Sequence, residues 1–95
     1  MPELVWKKYG GRCSYGSKVL VKGDYGKRCS TGWEVDHGNP LSAGGADDRR
    51  NWRLACWACN RFKSDMTAVE WTKVIARDYG GSCPRWSEGD PVRKH

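Results

Sequence analysis

The chain lacks any long apolar run. Met1 to Leu20 contains no sustained hydrophobic stretch of the kind a secretory signal needs, and no segment approaches the length of a membrane span. Internal repeats are absent too, which excludes solenoid and propeller architectures. Histidine is scarce, with one residue at position 37 and one at the C-terminal position 95, where a chemical role is not expected. Cysteine numbers five, an odd count that argues against a closed disulfide framework. Two of the five stand at metal-ligand spacing. With no export signal, this leads to the expectation of a cytoplasmic protein whose thiols are reduced and metal-bound.

What is present is compact and basic. Ninety-five residues suffice for one small domain, which buries a modest fraction of its surface and is expected to be helped by a metal staple. Hydrophobic residues make up 38%, yet mean hydropathy is −0.82, so the apolar mass is concentrated in aromatic side chains. Six tryptophans can build a core, stacking surfaces, or both. The net charge of +6 suits a polyanionic partner, and nucleic acid is the commonest of these.

Periodicity and punctuation give a coarse outline. Leu4, Val5 and Trp6 suggest a short N-terminal helix ended by Gly10-Gly11, and Lys18 to Lys22 reads as a short strand. Trp33–His37 and Trp52–Ala55 read as strands separated by a loop containing Pro40, Gly44 and Gly45. A helix starts near Trp57. Thr67 with Glu70 three residues later forms a capping-box signature for a helix reaching Tyr79, with Trp71 and Ile75 on one face. Residues 82–95 read as a loose tail.

The stretch from Trp33 to Asp65 carries the chemistry. It holds the pair Asp36-His37, the turn Gly44-Gly45, and Asn51 fourteen positions after His37. Cys56, Cys59, Asn60 and Lys63 then fall in the run LACWACNRFK. Together these residues resemble the HNH (ββα-metal) nuclease family, in an HNN variant. In that family a DH pair ends one strand, a GG turn and an Asn precede the second, and CxxCN/HxxK enters a helix. The resemblance covers about a third of the chain and implies a small α+β fold, a ββα-metal core over about 32–66 with a flanking helix, stabilised by zinc. It implies one nuclease domain spanning 1–95.

The chemistry such a site needs is definite. Cutting a phosphodiester requires a group to take a proton from water, neutralisation of the phosphate, and stabilisation of the leaving 3′ oxygen. The resemblance makes His37 the general base and gives Asp36 and Asn60 to a catalytic divalent cation, Mg²⁺ or Mn²⁺, which prefers oxygen ligands. Asn51 takes the structural role of tying the His-bearing segment across the loop. Because neighbouring strand residues point to opposite sides, using both Asp36 and His37 implies a distorted strand end.

Cys56 and Cys59 at a helix start have the geometry of half a zinc knuckle. Cys13 stands at the family's upstream position, but Gly16 replaces its expected partner. Cys29 is the leading choice for the fourth ligand of a structural Zn²⁺, with Cys83 a second possibility if the chain folds back. The alternative is that zinc has been lost and the cysteines are small buried hydrophobes. A thioredoxin-like reading of Cys56 to Cys59 fails for want of a βαβ context.

Arg49, Arg50, Arg53, Arg61 and Lys63 surround these residues, and each is expected either to contact the DNA backbone or to be a solvated charge. The primary expectation is a metal-dependent HNH endonuclease acting on DNA, of the small free-standing type found in phages and mobile elements. The competing reading is a non-catalytic, zinc-stabilised nucleic-acid-binding module. One site per chain means that double-strand cleavage would need a dimer, a partner protein or successive nicks.

Overall fold

The computed structural model describes residues 2–85. Among them, the chain forms helix α1 (Pro2–Tyr9), strands β1 (Trp33–His37) and β2 (Trp52–Cys56), and helices α2 (Trp57–Lys63) and α3 (Ala68–Asp78). Short 3-10 turns stand at Lys22–Asp24 and Leu41–Ala43. This is a small α+β fold built on a two-stranded antiparallel ribbon. No described helix is long and apolar enough to cross a membrane.

The ribbon is the organising element. Its register runs unbroken from Trp33↔Cys56 to His37↔Trp52, and Gly38 N–H donates to Asn51 O at 2.8 Å beyond the last pair. The expected distortion at the end of β1 is therefore not found, because the ladder continues through His37 to Gly38. Helix α2 begins where β2 ends: the Cys56 thiol caps it by accepting from Cys59 N–H at 3.3 Å.

Most of β2 is buried, Leu54 and Ala55 completely, because both faces of the ribbon are covered. Trp33, Leu54 and Phe62 meet Val5 of α1 and Trp71 and Ile75 of α3 in one apolar cluster. The tilted ring stacking of Trp33 against Trp6, with centroids 5.1 Å apart, fastens α1 to the ribbon. Trp71 has no exposed surface, so its truncation to alanine is expected to cost about 3–5 kcal/mol.

Helix α3 starts at a complete capping box. Thr67 Oγ1 accepts from Glu70 N–H at 3.1 Å, and the Glu70 carboxylate accepts from Thr67 N–H at 3.0 Å. The next residue, Ala68, donates its N–H to Gly38 O at 2.6 Å. The start of α3 is thereby tied to the residue that follows His37.

Two expectations need correction. Lys18–Lys22 does not form a strand; it makes only the isolated bridge Arg12↔Val19, flanked by Cys13 N–H to Lys18 O (2.9 Å) and Leu20 N–H to Gly11 O (3.0 Å). Pairing cannot extend further, because the facing chain turns at Gly10 and Gly11 with positive φ into α1. Nor is the segment after α3 loose throughout: Cys83 reaches the core and Pro84 is fully buried. Trp86, His95 and the rest of 86–95 lie outside the described residues.

Candidate active site

The Asn51 side chain makes three of the hydrogen bonds that hold the loop from Gly38 to Asn51. Asn51 Oδ1 accepts from Asn39 N–H, while its Nδ2 donates to Asn39 O and Ala46 O, all at 2.8 Å. An amide with one acceptor and two donors thus fastens both limbs of the loop. Gly45 is required here because a Cβ would collide with the Asn39 carbonyl oxygen, and Gly44 adopts φ +85°.

His37 stands at the ribbon's end with its side chain 27% exposed. Its Nε2 lies 2.9 Å from Asp47 Oδ1, and Trp52 Nε1 donates to the same oxygen at 3.2 Å. The contacts with His37 and then Trp52 hold the Asp47 carboxyl below its ordinary range, so it is ionised at neutral pH. An ionised carboxylate only accepts hydrogen bonds. Neutral His37 must therefore carry its proton on Nε2, which leaves the lone pair on Nδ1. Asp47 was not singled out in the sequence, because a DD pair in a polar loop looks like an ordinary solvated charge.

Asp36 sits on the other face of the ribbon, almost buried at 8% exposure. Tyr15 donates its hydroxyl to Asp36 Oδ2 at 2.5 Å, and Lys63 Nζ lies 3.2 Å from the same oxygen. Lys63 also donates to His37 O at 3.0 Å, so one ammonium grips both members of the Asp-His pair. Burial, followed by the charge of Asp36, pushes the Tyr15 phenol well above its usual range and keeps it a donor.

Lys63 itself has no exposed surface, which overturns its expected contact with a phosphate. The reason is helical geometry. Lys63 lies three residues after Asn60, on the same side of α2, and that side is pressed onto β1. Asn60 donates its amide to Glu34 Oε2. Glu34 and Asp36 are two residues apart on β1 and share a face, so α2 lies over a group of oxygen donors comprising Glu34, Asp36 and Asn60.

The arginines divide into two kinds. Arg49 and Arg50 are exposed on the loop, with Arg50 Nε 3.8 Å from Asp48 Oδ1. Arg53 is turned inward, its Nη1 donating to Arg50 O at 3.0 Å and Trp52 O at 3.3 Å. That half-buried guanidinium braces the loop from β2. Arg61 lies over the Trp57 ring at 5.0 Å, and Arg28 lies over it at 5.6 Å.

A second site forms at the opposite end of the ribbon. The sulfurs of Cys13, Cys56, Cys59 and Cys83 all lie within 4.8 Å of one another. Cys13 Sγ accepts from Cys56 N–H at 3.4 Å, and Ser14 N–H pins the neighbouring backbone to Leu54 O at 2.7 Å. Hydrogen bonds from the Cys56, Cys59 and Cys83 thiols hold Cys13 far below the ordinary thiol range. Four sulfurs in this arrangement form a donor set that can hold zinc.

Cys29 is not among them, which corrects its assignment as the fourth ligand. Its Sγ lies 3.7 Å from Asp24 Oδ2 and 3.6 Å from Thr31 Oγ1, inside the 22–32 loop. Cys83 takes the place instead, and Gly16 explains how. A Cβ at position 16 would come within 2.5 Å of Cys83 Sγ, so the glycine leaves room for a sulfur delivered from beyond α3.

The family model for HNH endonuclease matches residues 17–66, just over half of the chain. No curated protein matches it. The matched span includes Asp36, His37, Asn51, Cys56, Cys59 and Asn60, and it excludes α1, Cys13, Tyr15 and Cys83.

Proposed function

The chain belongs to the HNH endonuclease family, and from that premise we propose that it hydrolyses DNA phosphodiester bonds with a divalent cation. The observation that carries the proposal is the Asp47–His37 contact at 2.9 Å, which directs the imidazole lone pair to Nδ1. Nδ1 takes a proton from water as the water oxygen bonds to phosphorus. The P–O3′ bond then breaks, and the departing oxygen is protonated by solvent.

The residues on the Asp36 face of the ribbon suit a hard cation. Asp36 and Asn60 would hold it, with Glu34 beside them, and all three offer oxygen. The closer contacts to Asp36, from Tyr15 and Lys63, fall on Oδ2, while Oδ1 has Lys63 at 3.5 Å. When bound, the ion neutralises the phosphate and the developing charge on the leaving oxygen. Mg²⁺ or Mn²⁺ fits this donor set. Asn51 keeps the loop carrying Asp47 closed over His37, and Arg49, Arg50 and Arg61 supply non-specific phosphate contacts. Cys13, Cys56, Cys59 and Cys83 would hold a structural Zn²⁺ apart from the catalytic ion.

One observation favours a binding module without chemistry: Lys63 already neutralises Asp36, as a carboxylate with no metal to hold would require. Plasmid nicking separates the two readings. Supercoiled DNA incubated with the protein in Mg²⁺ or Mn²⁺, with EDTA as control, is expected to relax only with metal. Intact plasmid in every lane, with folded zinc-loaded protein, would leave the binding module.

A further inference from the structure

Helix α1 and the β1–β2 loop border an open recess of about 330 Å³, lined by Leu4, Val5, Lys8, Arg49, Arg50 and Trp52. That is the small end of the range for ligand sites. Its floor is apolar and its rim is cationic. Val5 is buried, but Leu4 is 53% exposed on the same helix, an apolar side chain left facing the opening. Lys8, Arg49 and Arg50 are all exposed around it.

The recess adjoins the proposed catalytic base. Trp52 is the cross-strand partner of His37, and its indole donates to the Asp47 oxygen that also contacts His37. Three cations select a ligand bearing phosphates. An apolar floor selects one that also offers a flat, poorly hydrated surface. A paired base in a duplex keeps its faces stacked within the helix and cannot present one. Helix α1, which supplies this half of the recess, lies outside the matched residues 17–66.

We infer that the recess binds an unpaired nucleotide of the DNA strand next to the cleaved bond. The base rests on Leu4 and Trp52, and Lys8, Arg49 and Arg50 take the flanking phosphates. This rests on the nuclease reading, and it makes single-stranded or locally unpaired DNA the preferred substrate.

The test measures binding in EDTA, where cleavage does not intervene. Anisotropy of a fluorescein-labelled single-stranded 20-mer is compared with that of the fully paired duplex of the same strand. The parent protein is expected to bind the single strand at least about fivefold more tightly, the lower end of what one base stacked on an apolar platform supplies. Leu4→Glu, at an exposed position, should erase that preference while leaving circular dichroism unchanged. Lys8→Ala should lower the slope of log K against log salt by about 0.7 on the single strand. Equal affinity for both DNAs, or a preference that survives Leu4→Glu, overturns the inference. Plasmid nicking by the same preparation keeps the readings apart: nicking without strand preference removes only the recess, whereas folded protein that never nicks removes the nuclease reading.

Discussion

Lys63→Met takes the ammonium from beneath the Asp-His pair while keeping most of the side chain's volume. The side chain is fully buried, lies 3.2 Å from Asp36 Oδ2, and donates to His37 O at 3.0 Å. Removing one partner of a buried ion pair costs about 3–5 kcal/mol, because the other charge is left uncompensated. Total stabilities of small domains run to about 5–15 kcal/mol, so this is a large share. In a chain of this size each kcal/mol moves Tm by roughly 4–8 °C, and a fall of at least about 12 °C is expected by calorimetry or thermal circular dichroism. Adding Asp36→Asn should restore more than about 2 kcal/mol in denaturant titrations, since the pair is then replaced by groups that do not need each other. The salt slope of DNA binding should not change, because no phosphate contact is lost. A Tm within about 3 °C of the parent, together with a shallower salt slope, would refute this account and return Lys63 to the DNA.

Further outcomes follow from the same geometry. Cys83→Ser is expected to lower the zinc measured per chain by elemental analysis and to destabilise the fold, whereas Cys29→Ser should leave both unchanged. Gly16→Ala should likewise lower zinc, since a Cβ there would come within 2.3 Å of Cys83 N and 2.5 Å of its Sγ. Asn51→Ala forfeits three hydrogen bonds and should cost about 2–4 kcal/mol in denaturant titrations, with loss of nicking as the loop opens. Asp47→Asn should slow nicking more than about tenfold by removing the carboxylate that fixes the His37 proton on Nε2. The depressed Asp47 pKa also has a sign: its contribution to stability is present above the ordinary value of 3.8 and is lost as pH falls through the folded value. Acid titrations of the parent and Asp47→Asn should therefore converge only at the acid end.

Elements marked by local chemistry were legible in the sequence. Trp33–His37 forms the strand read from its sequence, and Thr67 with Glu70 announces a helix start without reference to the rest of the chain. The Cys56, Cys59 and Asn60 spacing likewise placed a helix after β2. What failed were readings that depend on how distant segments meet. Lys18–Lys22 has strand residues, but a strand needs a partner and Gly10-Gly11 denies it one. Lys63 looks like a surface cation until α2 is laid on β1, when its position three residues after Asn60 turns it inward. Cys29 is nearer in sequence to Cys13 than Cys83 is, yet only the fold shows that the chain returns past α3 to Gly16. Tyr15 and Glu34 had no distinguishing sequence signal, being ordinary residues until Asp36 and Asn60 come to face them.

The central claim is that His37, oriented by Asp47, takes the proton from the attacking water. It is tested most directly by chemical rescue of His37→Ala on supercoiled plasmid in Mg²⁺. The account predicts that folded, zinc-loaded His37→Ala does not nick, and that free imidazole restores nicking in proportion to its concentration. Nicking by His37→Ala at the parent rate without imidazole would contradict it.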